Sequence, residues 1–272
     1  MRYFISISYK GSSYFGWQIQ PSQPSVQETL SKAFSVYLGG DVEITGAGRT
    51  DTGVHAVNYI AHFDFEELNL QENYRNIIYK INAILPSDIV LNDICQVEDD
   101  SHSRFDAVSR TYKYYIHTRK NPFVDDFSLY CPYNPDLEKM NLAAKSFLGK
   151  QDFTSLAKLH GSAKTNICTV TKAEWVIERQ HPLFPTSAEE GQAQYLCFEV
   201  TADRFLRNMV RSMVGSLLEV GRGKKSAEWI KEMLEKKNRC EAGNSVQAKA
   251  LFLCGIEYPY QLFKNNKEIN NK

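Results

Sequence analysis

Two periodicities alternate along the first hundred residues, and their order limits what the chain can fold into. Tyr3, Ile5, Ile7 and Tyr9 recur at every second position, which marks a strand with one buried face. A Ser25-Val-Gln-Glu28 capping box then opens a helix. Its Val26, Leu30, Ala33, Phe34, Tyr37 and Leu38 share a face, and Gly39-Gly40 ends it. Val42 and Ile44 begin a second strand, which breaks at Gly46–Gly53. Alternation resumes in Val57, Tyr59, Ala61, Phe63 and Phe65, and a helix over 71–83 and a strand over 88–97 follow. The predicted order is β-α-β-β-α-β, the split arrangement of ferredoxin-like folds. It is not the regular strand-helix alternation of a doubly wound parallel sheet.

A second half of related layout follows. Arg110–His117 reads as a strand. A helix has Pro135 near its first turn, Leu137, Met140, Ala144, Phe147 and Leu148 on one face, and Gly149 at its close. Strands are predicted at 166–178 and 194–202, and a helix from about 204 to 220 carries Phe205, Met209, Val210, Met213, Val214 and Leu217. Another helix at about 227–237 and a strand at about 249–257 complete it. The expectation is an α+β chain with halves at 1–103 and 104–263, a surface loop at 181–193 and a frayed polar tail at 264–272.

With 43% hydrophobic and 24% charged residues, 272 residues are ample for a buried core and argue against disorder. No apolar run reaches the 18 or so residues that spanning a bilayer needs. The opening MRYFISISYKG lacks a secretory apolar region, so the cytoplasm is expected, with no membrane association. The cysteines at 95, 131, 168, 197, 240 and 254 show no zinc-ribbon or thioredoxin spacing and read as reduced structural thiols. The net charge of +0 hides an asymmetry. Residues 1–103 hold 6 Lys+Arg against 13 Asp+Glu, and residues 104–272 hold 26 against 19. The second half can therefore present a local basic surface to a polyanion, with basic clusters at 104–120 and 204–225.

The densest chemistry lies in Gly46–Ala56, GAGRTDTGVHA. Its glycines let backbone approach a ligand closely. Arg49 suits a phosphate or carboxylate, and Asp51 suits a nucleophile or base. The dinucleotide fingerprint fails, because position 51 is Asp instead of Gly and a strand pattern, not a helix, follows. The GK[ST] ending of a phosphate loop is missing. Spacing alone leaves a purely structural turn equally open.

GRTDTGVHA at 48–56 resembles the signature of the tRNA pseudouridine synthase A family. The likeness continues in order through YKGSSYFGWQIQ at 9–20, SVQETL at 25–30, HSRFDAVSRTYKY at 102–114, FLRNMVRSMVGSLLEVG at 205–221 and KALFLCGIEYP at 249–259. Thr52 departs from it, standing where the family usually has a small apolar residue. The resemblance implies the pseudouridine synthase fold: two ferredoxin-like halves sharing a mixed, largely antiparallel sheet with a central cleft. It implies isomerisation of uridine at positions 38, 39 and 40 of the tRNA anticodon arm, by a homodimer that needs no cofactor and no metal. By the same resemblance Asp51 is the catalytic carboxylate, Tyr112 stacks on the base and Arg211 is the basic partner of the carboxylate. Arg49 contacts phosphate or holds the flipped nucleotide, and Leu251 walls the pocket. Arg104 and Arg110 match further basic positions whose duties stay open.

Other readings of the same residues exist. By pattern alone Tyr112 is a core aromatic beside Tyr114 and Ile116, and Arg204, Arg207 and Arg211 form a solvated helix stripe. His55 either orients the loop or sits near the surface, and His62 falls on the polar side of its strand. No HExxH motif or tight His/Asp cluster suggests a metal. Two rival functions remain: a structured-RNA-binding protein without catalysis, and a carboxylate-dependent hydrolase. The hydrolase wants two carboxylates flanking the bond, and the loop offers one.

Overall fold

Strand β1 (Arg2–Tyr9) runs antiparallel between β3 (His55–Asp64) and β4 (Ile89–Val97). These strands belong to a computed structural model that describes residues 1–66, 68–158, 164–178 and 195–263. The expected loop at 181–193 and tail at 264–272 lie outside the described residues. Two compact units divide the chain: residues 1–109 with the segment from Leu253, and Arg110–Phe252.

In the first unit the strand order is β4-β1-β3-β10, where β10 is Leu251–Glu257, and a two-residue β2 (Thr45–Gly46) also pairs with β3. Tyr3, Ile5 and Ile7 stand opposite Phe63, Ala61 and Tyr59, so the alternating apolar set occupies one face. Helix α1 (Val26–Leu38) covers that face, with Phe34 edge-on to Phe63 at 4.9 Å. Ser25 caps it as expected, the Glu28 N–H donating to Ser25 Oγ at 3.3 Å, while the Glu28 carboxylate pairs with Lys32 at 2.6 Å. Gly39 ends it at φ 76°. Helix α2 (Leu70–Ile84) follows β3. Tyr3, Phe34 and Phe63 are each essentially fully buried. Each such side chain contributes about 1.5–3 kcal/mol.

The opposite face is buried as well. Phe4, Ala47 and Ile60 form a cluster there, packed by Ile256, Tyr258, Leu262 and Phe263. This overturns the placing of His62 on a polar side: it stands opposite Phe4 and is 5% exposed. The strand expected from Val42 and Ile44 is also absent. Both side chains are buried, but α1 captures their backbone: Gln27 Nε2 donates to Ile44 O at 2.8 Å, and the Val42 N–H donates to Ser35 Oγ at 2.9 Å. With those groups satisfied, no ladder forms until Thr45.

In the second unit the strand order is β5-β9-β8-β7, from Ser109–His117, Tyr195–Ala202, Ile167–Glu178 and Gly149–Asp152 in turn. A short parallel β6 (Leu129–Tyr130) pairs with β5. Helices α3 (Leu137–Ala144), α4 (Met209–Gly221) and α5 (Trp229–Glu235) complete the unit. Helix α4 begins five residues later than its apolar spacing predicts. Asn208 sits in the left-handed region at φ 68°, its side-chain amide fastened to Ser245 Oγ at 2.6 Å. Arg204 and Arg207 therefore precede the helix, and only Arg211 rides on it. No described helix is long and apolar enough to cross a membrane.

Candidate active site

The Asp51 loop is held from behind by aromatic rings. Trp17 stacks on Tyr59 at 4.2 Å, and Tyr9 meets Tyr59 edge-on at 5.7 Å. From this cluster the Tyr59 hydroxyl donates to Gly48 O. The Tyr9 and Thr50 hydroxyls bond at 2.9 Å, and the backbone N–H of Trp17 donates to Thr50 O at 3.2 Å. The Gly53 N–H reaches Tyr14 O at 3.4 Å. The 9–20 and 46–56 stretches, separate in sequence, thus form one structure.

At the loop's tip the Val54 N–H donates to Asp51 O at 3.1 Å, closing a four-residue turn. Gly53, at φ 79°, fills its third position, where a side chain would be strained. Thr50 is buried, Asp51 half-buried, Thr52 and Arg49 exposed. The carboxylate is thereby carried on a braced backbone while Arg49 and Thr52 face solvent. His55 is buried and accepts the Gly11 N–H on Nδ1 at 3.0 Å, so it ties the strand after the loop to the segment after β1. The surface reading of His55 is overturned by its burial.

In the second unit Arg211 and Tyr114 are tied to the segment that leads into Leu251. Arg211 Nε donates to Val246 O at 2.7 Å, and the Val246 N–H returns to Arg211 O at 3.2 Å. Tyr114 Oη donates to the next carbonyl, Gln247 O, at 2.8 Å. Burial pushes the Tyr114 hydroxyl far above the ordinary tyrosine range, against the opposing Arg211 charge, so it stays a neutral donor. Tyr114 is the core aromatic of β5, whereas Tyr112, two residues earlier on the same face, is only half-buried. The Tyr112 ring is set by Phe205, edge-on at 5.1 Å. Leu251 is buried at the start of β10.

The basic clusters are less available than their composition suggests. Lys113 lies 3.5 Å from Glu178 and 3.6 Å from Glu199. Arg110 donates to Asp203 O at 2.9 Å, and Arg204 to Thr165 O at 2.6 Å. Lys224 is 3.6 Å from Glu219. Arg104, Arg119, Lys120, Arg207, Arg222, Lys224 and Lys225 are the exposed cations of these stretches. Sequence counts cannot reveal the pairing of Lys113, because Glu178 and Glu199 come from β8 and β9, far along the chain.

Sequence reasoning also missed a polar cluster behind β2. His62 Nδ1 bonds Ser103 Oγ at 2.7 Å and accepts the Ser103 N–H at 3.3 Å, while Ser103 Oγ is 3.1 Å from Thr45 O. Burial, then the nearby Arg2 charge, push His62 down from 6.5 to about 4. Folded protein keeps it neutral where the unfolded chain already takes up a proton. Its contribution is full above about pH 6.5 and is lost as pH falls toward 4, by up to about 3 kcal/mol. Urea midpoints between about pH 7 and pH 4.5 test this. Wild type should lose stability more steeply than His62→Gln, and parallel curves would contradict the assignment.

The comparisons bear on the same residues. A family model described as tRNA pseudouridine synthase matches residues 5–106 and 143–259, which include the Asp51 loop and α4. The chain is 47% identical to the tRNA pseudouridine synthase A of Bacteroides fragilis over 264 residues, 97% of this chain and 98% of that protein. Against the protein of the same name from Porphyromonas gingivalis it is 43% identical, covering 96% of this chain and 99% of the other.

Proposed function

Because the chain belongs to the tRNA pseudouridine synthase family, we propose that it isomerises uridines 38, 39 and 40 of the tRNA anticodon arm, with Asp51 as the reacting carboxylate. The observation that carries this reading is the Asp51 loop. It offers one carboxylate on a glycine turn, braced by Trp17, Tyr59 and Tyr9.

The reaction breaks the bond from uracil N1 to the ribose, turns the base, and rejoins it through carbon 5. N1 gains a proton and carbon 5 loses one, so nothing else is consumed. The carboxylate acts ionised, by attack on carbon 6, by attack on the sugar, or by taking a sugar proton. Burial against substrate would neutralise it, and a guanidinium opposes that. We assign this duty to Arg211, whose Nε bond to Val246 O fixes the plane of its fork. Tyr112 stacks on the flipped uracil, with its hydroxyl placed to relay the carbon 5 proton. Leu251 walls the pocket, and exposed Arg49 takes a backbone phosphate. The family reading also carries a homodimer working in the cytoplasm.

The test is tritium release from carbon 5 of uridine-labelled, unmodified tRNA, beside a binding titration at several salt concentrations. Each isomerised uridine should release its tritium while the RNA keeps its length and mass. Affinity should fall with salt, log K dropping by about 0.7–0.9 per log unit for each phosphate contact. Free uracil or cut strands would identify a hydrolase. Tight binding without release would identify an RNA-binding protein without catalysis.

A further inference from the structure

We propose that the turn His102–Asp106 is a stacking platform on which an unpaired base of the RNA substrate lies against the Phe105 ring while Arg104 takes an adjoining phosphate. The proposal rests on the isomerase reading above and extends it to a contact outside the reacting residues. Phe105 is 74% exposed, and the Arg104 guanidinium lies 5.7 Å from its ring centroid. A single exposed aromatic is ordinary on a protein surface. What distinguishes this one is how firmly its backbone is fastened.

The His102 N–H donates to Asp106 Oδ2 at 2.7 Å, and the Asp106 N–H returns to His102 O at 3.1 Å. Tyr258 Oη donates to Ser103 O, and Tyr260 Oη to Asp106 Oδ2 at 2.9 Å. Rings continue the fastening from the core outward. Phe4 stacks with His62 at 5.8 Å, His62 meets His102 at 4.7 Å, and His102 meets Phe105 at 4.2 Å. A ring presented this way loses little conformational freedom when a base settles on it.

Place and charge select the partner. Ser103 is bonded to Thr45 O and to His62, the strand partner of Thr45, and Thr45 immediately precedes the Asp51 loop. The platform therefore adjoins the opening of that loop within one unit. Residues 1–103 hold 13 Asp+Glu against 6 Lys+Arg, which repels a polyanion. Exposed Arg49, four residues after Thr45, and exposed Arg104, next to the Ser103 that bonds Thr45 O, supply positive charge there. An aromatic face with an arginine beside it suits single-stranded RNA, whose unstacked bases lie on rings while cations follow the backbone.

The test compares Phe105→Ala, Phe105→Trp and Arg104→Gln by tRNA binding, salt titration and sedimentation, with thermal unfolding to confirm the fold. Phe105→Ala should weaken binding about tenfold with an unchanged salt slope. Arg104→Gln should weaken binding and reduce the slope by about one. Phe105→Trp should keep the affinity, and its added indole emission should be quenched by RNA beyond the wild-type change. Wild-type affinity in Phe105→Ala, with no extra quenching in Phe105→Trp, overturns the platform. So does a changed sedimentation of Phe105→Ala at unaltered affinity, which would assign the ring to a second copy of the chain. A wild-type protein that releases tritium while Phe105→Ala binds normally removes the platform alone. A wild-type protein that releases none removes the isomerase reading and the platform with it.

Discussion

Asp51→Asn should bind tRNA as well as the wild type and release tritium only at background. The substitution keeps the side chain's size and removes its charge and basicity. The turn it sits in is closed by the Asp51 carbonyl and by Gly53, and neither depends on the carboxylate. The fold should therefore survive. Binding draws chiefly on phosphate contacts, and removing a negative charge that faces a polyanion does not weaken it. Turnover should drop by more than about a thousandfold, because nearby groups position the base without supplying a reacting oxygen. Tritium release and a binding titration on one preparation decide it. Substantial product would falsify Asp51 as the reacting group, and joint loss of binding and folding would make it a structural turn residue.

Gly46→Ala should cost both stability and activity, while Gly48→Ala, two residues on, costs almost nothing. A Cβ at Gly46 would fall 2.5 Å from the Trp17 ring and closer still to the Tyr59 hydroxyl. Neither ring can step aside, since they stack on each other and Tyr59 holds Gly48 O. Overpacking of this kind costs about 1–3 kcal/mol, and losing the Tyr59 hydrogen bond adds about 1 kcal/mol. The melting temperature should fall by roughly 5–10 °C. Tritium release should fall further than stability, because the displaced loop carries Asp51. At Gly48 nothing lies within 4 Å of an added Cβ, so its alanine variant should melt within about 2 °C of wild type. Thermal unfolding and tritium release on both variants give the contrast, and equal behaviour would show that the rings do not brace the loop.

Legibility in the sequence followed the range of the forces involved. Tyr3, Ile5 and Ile7 spell their strand because one face meets helices and nothing local competes. Ser25 and Glu28 spell the start of α1 because a cap is settled within four residues. The Asp51 loop was legible as a loop, and its residue types suggested chemistry. Its bracing was not legible, because Trp17 and Tyr59 meet it across the fold. Val42 and Ile44 carried strand periodicity, yet Gln27 and Ser35 claimed the backbone groups a strand needs. The start of α4 was misplaced because apolar spacing continues smoothly through Asn208 while its backbone turns left-handed. His62 looked solvated because Phe4, His102 and Ser103, which cover it, come from other segments, and the face it shares with Ile60 is closed by residues 256–263, almost two hundred positions later. Strands as short as β6 and β7 hold too few residues to show a period.

That late arrival sets an order of events during synthesis. Ile256, Tyr258, Leu262 and Phe263 close the face of the first unit that holds Phe4 and Ile60, and β10 completes its strand order. Arg110–Phe252, by contrast, contains its own strands and helices and leaves the ribosome before that closure is possible. The unit translated first is therefore the one finished last, after a loop of more than a hundred residues has been gathered in, and such long-range closure is slow. Until Tyr258 reaches Ser103, the wall behind Thr45 is missing and the nascent Asp51 loop has only its aromatic brace. The Asp51 loop thus acquires its full setting only after residues 256–263 have been made.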